Sequence, residues 1–155
     1  MGMPPQSPLV VENGTGVAGA NTFITLAELD QICVDYFAHA ETGSAQERTA
    51  AIRRSWLYLK SLSWKAEYPF PTLGGTIPAE VKTAQGILAH YEKTAPNTLQ
   101  PNVTPGQQKV LIRVGEIGWQ SMGQAGVDAQ RAKVLMADDL LAPFLQAKTN
   151  FLLRG

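Results

Sequence analysis

The chain has no excess of charge: 13 Lys and Arg stand against 13 Asp and Glu, for a formal net charge of zero. Tight, salt-sensitive binding to nucleic acid draws on counterion release and goes with a strong basic excess, so the balance argues against it. Cysteine is nearly absent. Cys33 stands alone, which excludes an intrachain disulfide and gives secretion no support; its apolar helical neighbourhood predicts a small buried hydrophobe. Histidine is scarce too. Neither His39 nor His90 has a Cys, Asp or Glu at metal-ligand spacing on an evident shared face, so no metal site is expected. No apolar run reaches the ~18 residues that a membrane span needs, and the opening MGMPPQSPLV lacks the basic and apolar regions of a signal peptide. Charged residues make up 17% of the chain, against a typical ~25%, a shortage that suits surface hidden in an oligomer.

What is present describes one globular domain. At 155 residues and 45% hydrophobic content, the chain can bury roughly two-thirds of its unfolded surface. Residues 1–8 hold three prolines and no periodicity, and read as a loose N-terminal arm. Leu9 to Glu12 suits a short strand. Thr25 with Glu28, and Ser44 with Glu47, carry the spacing of capping boxes. The first opens a helix whose apolar stripe is Leu26, Leu29, Ile32, Cys33, Tyr36 and Phe37. The second opens a helix from about Ala45 to Leu62 with Ile52, Trp56, Leu59 and Leu62 inward. Tyr68 to Gly75, YPFPTLGG, cannot continue it. Pro78 suits a first helical position, opening a third helix through about Lys93 with Val81, Ala84, Ile87, Leu88 and Tyr91 inward and His90 on its surface. Residues 109–120 have the composition of a hairpin or β-arm. A last helix is expected from about Gln130 to Leu141, disturbed at Pro143. The expected fold is mainly α: about four helices in a domain over residues 9–143, one hairpin or β-arm, and extended N- and C-terminal segments, the latter a tail over residues 144–155.

Catalytic chemistry is not evident. Gly14-Thr-Gly16-Val-Ala-Gly19 matches G-x-G-x-x-G, but a dinucleotide site needs the third glycine inside a helix within a βαβ unit. Here the helix start waits until Thr25, so the glycines read as a backbone turn. Asp138 and Asp139 are adjacent and point about 100° apart on a helix, so they cannot share a proton as paired catalytic acids do. No catalytic residue, cofactor site or metal ligand is assigned, and the chain is expected not to be an enzyme.

The order Gly14-Thr-Gly16, Gly19-Ala-Asn21, Phe23 and the Thr25-x-x-Glu28 helix start resembles the head-to-tail adaptors (connectors) of tailed bacteriophages, a family often labelled DnaT-like single-stranded-DNA-binding. Three further segments extend the resemblance: Ala51-Ile-Arg-Arg-Ser-Trp56-Leu-Tyr-Leu-Lys60 with Trp64; Ile77-Pro-Ala-Glu-Val-Lys-Thr-Ala-Gln85; and Leu140-Leu-Ala-Pro-Phe-Leu145 with the Phe151-Leu-Leu-Arg154 ending. The resemblance implies a structural virion protein without catalysis at the neck, assembled in the host bacterial cytoplasm. Its subunits would form a homo-oligomeric ring, commonly of twelve, between the portal protein and a tail-side neck or tail protein. Double-stranded DNA would pass through the channel without its sequence being read, and no membrane is involved. By position, Phe151, Leu152, Leu153 and Arg154 are the implied portal contacts, with the hairpin and the 66–76 loop at subunit or next-ring interfaces. Tyr68-Pro-Phe-Pro-Thr72 replaces the Leu-x-Trp-Pro-Arg segment frequent in the family, so no contact is carried over there.

The alternative is a single-stranded-DNA-binding replication accessory protein. Basic residues interleaved with aromatics can follow a phosphate backbone while bases stack. Arg53, Arg54, Lys60 and Lys65 lie among Trp56, Tyr58, Trp64, Tyr68 and Phe70. Against this, Trp56 falls on the inward stripe with Ile52 and Leu59, where packing is the expected role.

Overall fold

In a computed structural model the described residues are 4–101 and 133–147. Both capping boxes form. The Thr25 hydroxyl accepts from the Glu28 amide at 3.1 Å while the Glu28 carboxylate accepts from the Thr25 amide at 2.9 Å, opening α1, Leu26–Phe37. Ser44 and Glu47 repeat the arrangement at 3.1 and 3.0 Å and open α2, Ala45–Lys60. Each box satisfies two amides that the first turn would leave without partners. α1 stops at Ala38, which adopts the left-handed conformation (φ 66°) and returns its amide to Val34.

Pro78 takes the N-cap position of α3, Ala79–Thr94, so the helix starts one residue later than expected. The last helix among the described residues, α4, Leu135–Leu141, runs into a 3-10 turn over Ala142–Phe144 that contains Pro143. Residues 130–132 of the expected last helix, and the whole expected hairpin at 109–120, lie outside the described residues. The mainly helical class therefore holds, with four α-helices and almost no strand among the described residues.

Helix α3 is central, packed against α2, α4 and α1. Gly86 permits its close approach to α1, since a Cβ there would lie 2.6 Å from Ile32 Cδ1. The interior takes Leu29 and Cys33 from α1, Ile52, Trp56 and Leu59 from α2, Val81, Ala84, Ile87 and Leu88 from α3, and Ala137 and Leu141 from α4. Each large apolar side chain so buried contributes about 1.5–3 kcal/mol. Gln85, fully buried, ties three segments together. Its oxygen accepts from the Phe23 amide at 2.8 Å, and its nitrogen faces Ser55 Oγ at 3.2 Å and the Ile52 carbonyl at 3.4 Å.

Two residues assigned to apolar stripes stand in solvent instead: Tyr36 is 50% exposed and Tyr91 38%. Successive helix residues point about 100° apart, so the end of α1 can turn Phe37 inward or Tyr36, but not both. Tyr91 rests edge-on against Phe37 at 5.8 Å, at the rim of the α1–α3 contact. The expected strand at Leu9 to Glu12 is reduced to one bridge, Val11 with Thr22, flanked by backbone bonds from Glu12 to Thr22 and from Asn21 to Val10. Among the described residues no helix is long and apolar enough to cross a membrane.

Candidate functional site

Of the four basic residues of the nucleic-acid alternative, two are held by partners within the fold. Arg53 turns to the N-terminal arm and donates to the Ser7 and Pro8 carbonyls. Its neighbour Arg54 pairs with Glu92 at 2.6 Å. Glu92 is itself buried, and its carboxylate also accepts from the Asn97 and Leu99 amides, so this pair anchors the turn after α3. Lys60 is exposed at the end of α2 and Lys65 is half-buried beyond it. The aromatics are likewise engaged. Trp56 and Trp64 are 8% and 9% exposed. With Phe23 and Phe70 they form one cluster, with centroids 4.8 Å apart for Phe23–Trp56, 4.7 Å for Trp56–Phe70 and 5.7 Å for Trp64–Phe70. The Trp64 indole donates to the Leu59 carbonyl at 2.8 Å. Trp56 and Trp64 so placed are taken up by packing, whereas Tyr58, Tyr68 and Phe70 are half-buried.

The glycine-rich loop is a turn around a carboxylate. Glu12, fully buried, accepts from the amides of Gly14 and Gly16 at 2.8 Å and of Val17 at 2.9 Å. Burial alone would push its pKa up, but the three amides outweigh burial and hold the carboxyl below its ordinary range. Gly14, at φ 103°, fits nothing larger, because a Cβ would sit 2.3 Å from the Gly75 carbonyl oxygen. Residues 20–25 form no helix after Gly19: Thr22 makes the bridge to Val11, the chain bends at Phe23 and Ile24, and α1 starts only at Leu26. A dinucleotide site lacks its helix here.

A third arrangement brings together residues that sequence spacing keeps apart. Cys33 of α1, Glu41 of the α1–α2 loop and His90 of α3 meet in a buried corner. His90 Nδ1 lies 2.7 Å from Glu41 Oε2, and Cys33 Sγ lies 3.7 Å from the same oxygen. The other Glu41 oxygen accepts from the Thr42 amide at 2.9 Å. Phe37 stacks on the His90 ring at 4.1 Å, and the His39 ring stands 6.2 Å from it. Burial first, and then the negative charge and hydrogen bond of Glu41, push the Cys33 thiol up to about 12. His90, expected on the helix surface, has a side chain only 14% exposed. Its partner Glu41 lies 49 residues away, beyond the reach of any local pattern. The available signal was compositional: this corner holds the only cysteine of the chain and both of its histidines. A sulfur, a nitrogen and a carboxylate oxygen within 4.8 Å of one another form a donor set that could hold a metal ion.

The implied portal contacts Phe151, Leu152, Leu153 and Arg154 lie outside the described residues. The stretch leading toward them is seated on the body. Phe144 is buried, with its ring edge-on to Tyr68 at 5.0 Å. Its carbonyl accepts from the Lys65 amide, and the Gln146 amide donates to Ser63. Phe144 and Leu145, grouped with the tail in the sequence, thus pack against the core as part of the body.

In comparison with known proteins, residues 7–73 match a family described as "Putative DnaT-like ssDNA binding protein". The matched stretch runs from the N-terminal arm through α1 and α2 to Leu73 and includes the Glu12 loop and all four rings of the aromatic cluster. No curated protein and no solved structure matches the chain.

Proposed function

We propose that the chain is a non-catalytic structural protein, an adaptor at the neck of a tailed bacteriophage that passes DNA without binding it tightly. One observation carries this reading. Two of the aromatics that a single-strand binder would present, Trp56 and Trp64, are buried in the interior, and Arg53 and Arg54 are engaged by the Ser7 and Pro8 carbonyls and by Glu92. Zero net charge agrees with it. The ring, the portal and the docking tail are the finer form of the proposal and rest on the sequence resemblance. An adaptor ring needs head-to-tail interfaces that close by rotation, and many weakly held tails fixed in one ring attach as a multivalent set.

The second reading, a single-stranded-DNA-binding accessory protein, is favoured by the family match, and the comparison taken alone supports it better than it supports an adaptor. The two readings separate by fluorescence anisotropy with a labelled single-stranded oligonucleotide at physiological salt. The adaptor reading expects dissociation constants well above micromolar. Sub-micromolar binding that weakens steeply with salt would overturn it. Electron cryo-microscopy of purified virions then tests the finer form, which expects a ring of this chain at the neck. Deleting Thr149 to Gly155 is expected to leave melting unchanged and to abolish co-sedimentation with isolated portal.

A further inference from the structure

We propose that Cys33, Glu41 and His90 form a binding site for a divalent transition metal of the zinc class. The three donors come from α1, the α1–α2 loop and α3, and all three ligand atoms lie within 4.8 Å of one another. A tetrahedral zinc sphere, with bonds of about 2.0–2.3 Å, places its ligand atoms about 3.3–3.6 Å apart. Cys33 Sγ and Glu41 Oε2 already stand 3.7 Å apart. His90 Nδ1 and Glu41 Oε2, at 2.7 Å, need to open by roughly half an ångström to reach that spacing. The loop carrying Glu41 joins α1 to α2, and residues 38–40 and 42–44 on either side of it are exposed, so the opening meets little packing.

The donor set selects the ion. One thiolate and one imidazole exclude calcium and magnesium, which take oxygen ligands, and suit zinc and its soft or borderline neighbours. Coordination is not a redox step. The Cys33 S–H bond breaks, its proton goes to solvent, and the sulfur lone pair goes to the metal. His90 binds through the Nδ1 lone pair and carries its proton on Nε2. Glu41 already accepts from Thr42 through one oxygen, which orients the carboxylate and leaves the other oxygen for the ion. Three protein ligands leave a fourth position for water. Without a cation the corner is poorly served: the thiol has only a long contact to a carboxylate. A metal would replace that contact with two bonds to one positive centre and fasten α1 to α3 across the loop.

The test uses the full chain, stripped with chelator and titrated with cobalt(II) as a spectroscopic stand-in, then with zinc. The expected result is one equivalent of cobalt per chain with a thiolate-to-metal charge-transfer band in the near ultraviolet. Zinc displaces the cobalt and raises the melting temperature. Cys33→Ser removes the band, and both Cys33→Ser and His90→Gln weaken zinc binding at least about tenfold, the scale on which even outer-shell changes act. The wild-type spectrum needs no variant, so it stands even where Cys33→Ser fails to fold. Absence of the charge-transfer band, binding of several equivalents without it, or zinc affinity unchanged in folded His90→Gln would overturn the site.

Discussion

Two corners of the molecule bury rings in different ways. Around Phe70 the contents are apolar: Phe23, Trp56 and Trp64 meet it edge-on or tilted, and the one polar group described, the Trp64 indole, is satisfied by a carbonyl five residues away. Around His90 the contents are ionisable, a thiol and a carboxylate beneath a Phe37–His90 stack. The first corner depends on volume and will behave alike over a wide range of conditions. The second depends on which atoms carry protons or share a cation, so its stability moves with the solution. The difference lies in the cost of error: a poorly filled apolar corner loses contacts, whereas a displaced ionisable one leaves a charge without a partner.

Trp56→Ala sharpens that comparison most. Truncating a large aromatic in the interior is expected to cost about 3–5 kcal/mol, read by urea denaturation. An unchanged midpoint accompanied by altered DNA binding would move Trp56 from packing to recognition. His90→Ala should cost less, on the order of 1–3 kcal/mol in chelator, because the Glu41 carboxylate keeps the Thr42 amide but loses its 2.7 Å neighbour. A loss equal to that of Trp56→Ala would erase the distinction between the corners.

A buried carboxylate whose donors are all backbone amides supplies the reference case. Glu12→Gln is expected to destabilise by about 1–2 kcal/mol at neutral pH through the loss of charge-assisted bonds. The folded pKa of Glu12 lies below its ordinary value. Its contribution is therefore complete above the unfolded carboxylate range and is lost as pH falls through the folded value. Melting curves from neutral pH downward should show the wild type and the variant converging in acid. A gap that persists there would mean that the charge of Glu12 does not matter. Lys60→Ala, at an exposed helix end, should stay within about 0.5 kcal/mol.

What the sequence disclosed divides along the same line. Thr25 with Glu28 and Ser44 with Glu47 were legible because a capping box closes within four residues. Ile52, Trp56 and Leu59 were legible because helical spacing alone puts them on one face. His90 was not, since its partners sit on other elements, and helical spacing says only which face a residue occupies, not what faces it. Tyr91 failed for a related reason: it continues the α3 stripe by count, but the stripe outruns the neighbouring helix that would cover it. Arg54 looked like a surface cation and proved to be the partner of a buried acid 38 residues away.

The Glu12 loop has a consequence for any anion in solution. Amides of successive residues that converge on one point make a concavity that binds phosphates in many proteins, and here the amides of Gly14, Gly16 and Val17 converge on a side chain of their own segment. That carboxylate competes as a tethered ligand, at an effective concentration on the order of millimolar or above, and never diffuses away. A free nucleotide would have to displace it and leave its charge buried without donors. The glycine pattern thus marks a true anion receptor, one whose occupant is encoded two residues before its first glycine.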